Sequence, residues 1–249
     1  MRVQPIAGVR GPAIRALDPW LPGNPGYGRT HQLLSDSERA RLAVISSVVR
    51  FKKGAEIYRE GADADAVFNI ISGVVKAYTQ SPGNGELIAA FLFSEDLFGL
   101  AQEGRYVNST KAVTPIEVYR IPIAALRGQC LTDANFEFHV IAKLCHELRQ
   151  AQHHAFVLAS KHTVAKLTLF LQMLAQLEFA KGGPVNEIYL PMSRSEIAEY
   201  VGASLPAISR AFRTLTTRGV LQVRNRQHVK IIDQRAFEKL ANDRQEAPC

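Results

Sequence analysis

From Met192 to Leu215 the chain reads as two capped helices joined by a glycine turn, a pattern that commits this stretch to a pair of crossing helices. Ser193 followed by Glu196 is a capping box, a hydroxyl and a carboxylate spaced to satisfy orphan amides, so a first helix begins near Arg194. Gly202 allows the left-handed backbone that ends it. Ser204 then caps a second helix, and Pro206 is tolerated in its first turn because the missing N–H had no helical partner to lose. Ile197, Ala198, Val201, Ile208, Phe212 and Leu215 supply a shared apolar core. That leaves Leu205, Pro206, Ser209, Arg210 and Arg213 facing outward, with Ser204 at their head.

Charge falls on the same stretch. Between Tyr200 and Ile232 there are six basic residues, Arg210, Arg213, Arg218, Arg224, Arg226 and Lys230, and no acidic one. After Gly219 two short alternating runs, 220–223 and 229–232, flank a polar turn, which predicts a β-hairpin wing with its basic residues at the tip. A lone charge run is usually a solvated face, but here it coincides with a capped helix pair and a wing. The combination points to double-stranded DNA, with the second helix in a major groove. Arg194, Arg213, Arg218, Arg224, Arg226 and Lys230 are then candidate phosphate contacts, and Ser209 and Arg210 candidate readers of base edges.

The chain of 249 residues is long enough for two compact domains, and 47% hydrophobic content is that of an ordinary globular protein. A net charge of +7, unevenly placed, predicts one basic surface rather than a polycation. No apolar run reaches about 18 residues and no signal-peptide core is present, so a soluble, cytoplasmic protein without membrane partners is expected. No nucleophile–base pair, metal-ligand spacing or phosphate loop argues for an enzyme. Cys130, Cys145 and Cys249 lack any C-x-x-C pairing, which argues against a disulfide framework and against a thiolate-only metal site; an inert thiol or a redox sensor both remain open for Cys145. The first thirty residues hold five prolines, five glycines and Trp20, and predict an irregular arm over 1–32 that adds little to the core.

A helical stretch near 35–42 leads into short apolar runs such as 67–71 and 87–93, punctuated by Gly54, Gly61, Gly73, Gly83, Gly85 and Gly99. Such spacing predicts an antiparallel barrel or sandwich over 33–132. A connecting helix over 133–160 carries Ile141, Leu144, Leu148, Ala151, Ala155 and Leu158 at spacings of 3, 4, 3, 4 and 3, a heptad seam along which two copies would zip into a homodimer. Packing of this helix on its own barrel is the alternative. His139, His146 and His153 recur every seven residues, about 10.5 Å apart, too far for one metal, and are read as a polar stripe opposite the seam. Seven histidines nevertheless leave a haem reading open.

The wording Lys53-Gly54-Ala55-Glu56-Ile57-Tyr58-Arg59-Glu60-Gly61, then Phe68-Asn69-Ile70-Ile71-Ser72-Gly73-Val74-Val75-Lys76, then Asp96-Leu97-Phe98-Gly99, resembles the CRP/FNR family of bacterial transcription regulators, as does Ile208-Ser209-Arg210. The resemblance covers about residues 34–235. It implies an α+β fold: an N-terminal cyclic-nucleotide-binding-type β-roll, a long dimerisation helix and a C-terminal winged helix-turn-helix over 161–249. It also implies a homodimeric regulator on a palindromic promoter site, with RNA polymerase as a further partner.

Family members that bind a cyclic nucleotide follow the cassette glycine with a glutamate for the ribose, and later supply an arginine and a Ser or Thr for the phosphate. Here Leu100 follows Gly99, and Asn108-Ser109 stand where the arginine pair would. Losing the cation removes a charge-assisted bond worth about 1.5–3 kcal/mol. Arg105 offers a substitute from a shifted register. Cyclic AMP is therefore expected to be dispensable. No cysteine precedes Cys130, which argues against an iron–sulfur cluster, and the resemblance is to the FixK-like branch, working without a cofactor. The family's reading residues are a Glu, then Ser or Gly, then Arg; here they are Pro206, Ser209 and Arg210. A TTGA-type half-site is implied, sharply specified only at the guanine facing Arg210. The alternative function is an effector-binding β-roll that regulates a protein partner without DNA.

Overall fold

Short branched and aromatic runs with glycine between them pair, as the spacing predicts, into two four-stranded sheets. The computed structural model describes residues 11–16, 31–81, 85–180 and 186–242. Its elements begin with β1 (Arg15–Ala16), β2 (His31–Gln32), α1 (Asp36–Ile45), β3 (Ser47–Phe51), β4 (Glu56–Tyr58), β5 (Ala66–Ser72), β6 (Val75–Ser81) and β7 (Gly85–Leu92). There follow β8 (Leu97–Phe98), β9 (Ala101–Gln102), β10 (Arg105–Tyr106), β11 (Ser109–Ala112), β12 (Ile116–Pro122), α2 (Ile123–Thr132) and α3 (Ala134–Ala159). The rest are α4 (Thr163–Ala180), β13 (Glu187–Tyr189), α5 (Arg194–Val201), α6 (Leu205–Thr217), β14 (Leu221–Val223), β15 (His228–Ile231) and α7 (Gln234–Asn242). Two compact units result: Met1–Thr79 with Phe91–Leu148, and Gln80–Ala90 with Arg149–Cys249.

The two four-stranded sheets run β4-β11-β6-β7 and β3-β12-β5-β8, a β-roll. Strand β5 lies between β12 and β8 and is buried over residues 66–70, which is why its sequence is apolar without alternation. Gly73 makes the tight β5–β6 connection at φ +93°, where an added Cβ would lie 2.4 Å from the Pro115 carbonyl oxygen, so no other residue fits. Helix α1 starts where expected, behind a capping box of Ser35 and Glu38.

The N-terminal segment departs from its expectation as an arm that adds little. Residues 11–16 are part of the core: β1 pairs with β2, Ile14 is 1% exposed among Leu34, Leu42, Val67, Tyr119 and Phe136, and Asn69 bonds both backbone groups of Ala13. Proline and glycine on either side masked a two-residue strand too short to show a period. Trp20 and Cys249 lie outside the described residues.

Helix α3 also differs from expectation on its inward face. His139 sits 3.0 Å from the buried Glu38 carboxylate and His146 is 8% exposed, so the polar stripe opposite the seam is turned inward at these two positions. Beside them Lys143, only 1% exposed, lies 2.8 Å from Asp96 and 2.7 Å from Glu147. Burial works against its charge, but the two carboxylates outweigh it and hold the ammonium above lysine's ordinary range.

The second unit holds three elements beyond those expected from the sequence: α4, β13 and α7. Leu167, Phe170, Leu171 and Leu174 of α4 are all buried, on an i, i+3, i+4, i+7 stripe overshadowed by the charge and capping signals further along. Strand β13 completes a sheet of order β13-β15-β14, pairing Ile188 with Val229. No described helix is long and apolar enough to cross a membrane.

Candidate functional site

The helix pair forms where its caps dictate. The Ser193 hydroxyl accepts from the Glu196 amide while Glu196 accepts from the Ser193 amide, α5 ends at Gly202 with φ 62°, and Ser204 accepts from the Ala207 amide to open α6. Ile197, Ala198, Val201, Ile208, Phe212 and Leu215 are buried, as the period requires. Ser204, Leu205, Pro206, Ser209, Arg210 and Arg213 stand exposed along one face of α6, and Arg218 is exposed at its end. In the wing, Asn225 Oδ1 accepts from the amides of Gln227 and His228 and shapes the tip, which leaves Arg226 exposed. Lys230 is half-buried on β15.

Two basic residues are placed otherwise than as free phosphate contacts. Arg224 is paired 2.9 Å from Glu187, an acid that β13 brings in from outside the acid-free stretch. Arg194 turns inward: its guanidinium carbon lies 3.2 Å from the centre of the Phe212 ring, and its Nη1 is buried without a hydrogen-bond partner. Burial pulls its pKa down to about 10, so it stays charged at neutral pH. The stack joins α5 to α6 and makes Arg194 a positioning residue. Arg194→Met should lower the melting temperature by a few degrees, the loss of a cation–π contact of about 1 kcal/mol, and leave the salt dependence of DNA binding unchanged. A salt slope shallower by about 0.9 would instead make it a phosphate contact.

On α3 the seam residues Ile141 (46%), Leu144 (43%), Leu148 (60%) and Leu158 (41%) are exposed, as are Ala151 and Ala155. Phe138 and Phe156 are exposed too, and the heptad reading did not include them because they lie one position off it.

In the roll, Gly99 adopts φ +87° and is packed by the ring of Tyr58, whose Cε1 would be 3.4 Å from an added Cβ. Leu100 is 39% exposed. The Ser109 hydroxyl is already used, accepting from the Glu60 amide at 3.0 Å. Asn108 presents its Oδ1 3.5 Å from the Tyr58 hydroxyl. Arg105 is no substitute cation for the pocket: it points outward, donates to the Gly61 carbonyl at 2.7 Å and lies 3.6 Å from Asp63. Short β9–β10 pairing holds it on the rim.

A β-roll, a long helix and a winged helix-turn-helix, in that order along the chain, define a DNA-binding regulator. Residues 48–133 match the cyclic nucleotide-binding domain and residues 165–240 the Crp-like helix-turn-helix domain. The chain is 27% identical to the transcriptional activator protein FnrA of Stutzerimonas stutzeri over 73% of this chain and 75% of that protein. It is 26% identical to the nitrogen fixation regulation protein FixK of Azorhizobium caulinodans over 80% of this chain and 81% of that protein. The solved structure of FixK2 from Bradyrhizobium japonicum matches at a TM-score of 0.73 and 25% identity, covering 79% of this chain and 97% of that one. This chain belongs to the CRP/FNR family of transcription regulators, on its FixK-like branch. It is a DNA-binding regulator and not an enzyme.

Proposed function

We propose that the protein acts as a homodimer on a palindromic promoter site, without cyclic AMP, in the cytoplasm and in company with RNA polymerase. Residues 33–132 serve as the sensor domain, 133–160 as the dimerisation helix and 161–249 as the DNA-binding domain. The observation that carries this reading is the exposed, acid-free face of α6, on which Ser209, Arg210 and Arg213 stand together. Arg210 forks onto O6 and N7 of a guanine, while Pro206 has no acceptor for the neighbouring pair. Arg213, Arg218, Arg226 and Lys230 hold phosphate. Exposed Ile141, Leu144, Leu148, Ala151, Ala155 and Leu158 join the two copies and set the α6 helices about 34 Å apart, one turn of DNA.

Fluorescence anisotropy on a labelled palindromic duplex tests this. Affinity should fall steeply between 50 and 200 mM salt, with a log–log slope of about −0.9 per phosphate contact. Binding that ignores salt contradicts the reading. Arg210→Ala should cost about 1–3 kcal/mol on the preferred site and erase its preference at one guanine, whereas Arg213→Ala should weaken all duplexes alike. Retained preference in the Arg210 variant would show that another residue reads the guanine.

A further inference from the structure

The space between Gly99 and the Asn108–Ser109 segment already has an occupant. At the end of β4 the Tyr58 ring stacks on Tyr106 with centroids 3.8 Å apart and planes 13° from parallel. It also meets Phe68 at 5.9 Å and Phe98 at 6.1 Å, and those two rings lie 5.3 Å from each other. Its edge lies against Gly99, at ordinary van der Waals distance from where a Cβ would stand. Its hydroxyl donates toward Asn108 Oδ1 at 3.5 Å. Thr110, its cross-strand partner, is fully buried, and its Oγ1 has no hydrogen-bond partner among the described residues.

We propose that Tyr58 is a built-in occupant of the effector site: its phenol fills the space a nucleotide would need and holds the Gly99 and Asn108–Ser109 segments in the arrangement a bound ligand would otherwise stabilise. The chemistry of the walls fits a phenol. They offer flat aromatic faces for a ring and a neutral amide oxygen for its hydroxyl, while Arg105, the substitute cation that the sequence offered, donates to the Gly61 carbonyl instead. Burial raises the Tyr58 pKa well above the ordinary tyrosine range, which keeps the hydroxyl a proton donor. The inference deepens the ligand-free DNA binding proposed above and rests on it. It also names the ligand class the site would accept once emptied, a small phenol rather than a cyclic nucleotide.

The test uses the full chain with Tyr58→Gly, and p-cresol as the probe. The variant should melt at a lower temperature and bind the palindromic duplex about tenfold more weakly, because its binding-competent form is less populated. Millimolar p-cresol should restore both properties and leave the unaltered protein unaffected. Wild-type melting and affinity in Tyr58→Gly, or no response to p-cresol, would overturn the proposal. If the glycine variant does not fold, Tyr58→Leu keeps apolar volume but loses ring and hydroxyl; weakened DNA binding by an intact dimer is then expected, and unchanged affinity overturns the idea. Should the unaltered protein bind no DNA at all, the functional reading fails, while recovery of melting temperature by p-cresol still decides the role of Tyr58.

Discussion

Replacing Lys143 with methionine should destabilise the first unit by about 3–5 kcal/mol, the cost of leaving two half-buried carboxylates without the buried cation they share. At 1% exposure the ammonium cannot be replaced by water, and it serves Asp96 and Glu147 at once while donating to the Arg15 carbonyl at 3.3 Å. Burial already raises the Glu147 pKa even with Lys143 beside it, so removing the lysine leaves that carboxyl to desolvation and to repulsion from Asp96. Calorimetric melting at pH 7 should show the sensor transition about 10 °C lower, given roughly 2–4 °C per kcal/mol at this size. Adding Glu147→Gln should recover part of the loss, because one of the stranded charges is gone. A drop of under about 1 kcal/mol would mean that water reaches the cluster.

Leu148→Asp should have the larger consequence for function. The side chain is 60% exposed in the single chain, so its replacement costs the folded monomer little, within about 0.5 kcal/mol. Across a two-fold seam, however, each copy would bring a carboxylate onto its mate, and like charges in an interface cost several kcal/mol. Sedimentation velocity should show a monomer for the variant and a dimer for the unaltered chain. Affinity for a palindromic duplex should then fall by about 100-fold or more, because the second half-site no longer benefits from a tethered partner. A Leu148→Asp protein that stays dimeric would remove Ile141, Leu144 and Leu148 from the interface.

What the sequence showed and hid follows from the range of the forces involved. Ser193, Gly202 and Ser204 act within a turn of their own position, so both helices of the DNA-binding motif were legible to the residue. The exposed face of α6 was legible for the same reason, since an interior of Ile208, Ala211, Phe212 and Leu215 leaves only one side free. Strand β13 was not, because a three-residue strand gains its meaning only from pairing with β15. Its Glu187 in turn undid the simple reading of Arg224 as a free cation. Arg194 misled in the same way: as a basic residue at a helix start it resembled a phosphate contact, and only the tertiary position of Phe212 shows its charge committed to a ring. In the β-roll, Leu100 and Asn108 carried the expectation of a site without the nucleotide's partners, but Tyr58 read as an ordinary strand residue until the structure set it against Tyr106 and Gly99.

Selection of duplexes from a random pool by the unaltered protein, followed by sequencing, is the most direct trial of the reading that α6 specifies a site in dimeric form. The enriched sequences should be two-fold symmetric, with half-site centres about 10 base pairs apart. Each half should carry one sharply specified guanine opposite Arg210 and relaxed choice at the pair facing Pro206. A pool that remains random, or an enriched site with no two-fold symmetry and no fixed guanine, would contradict it.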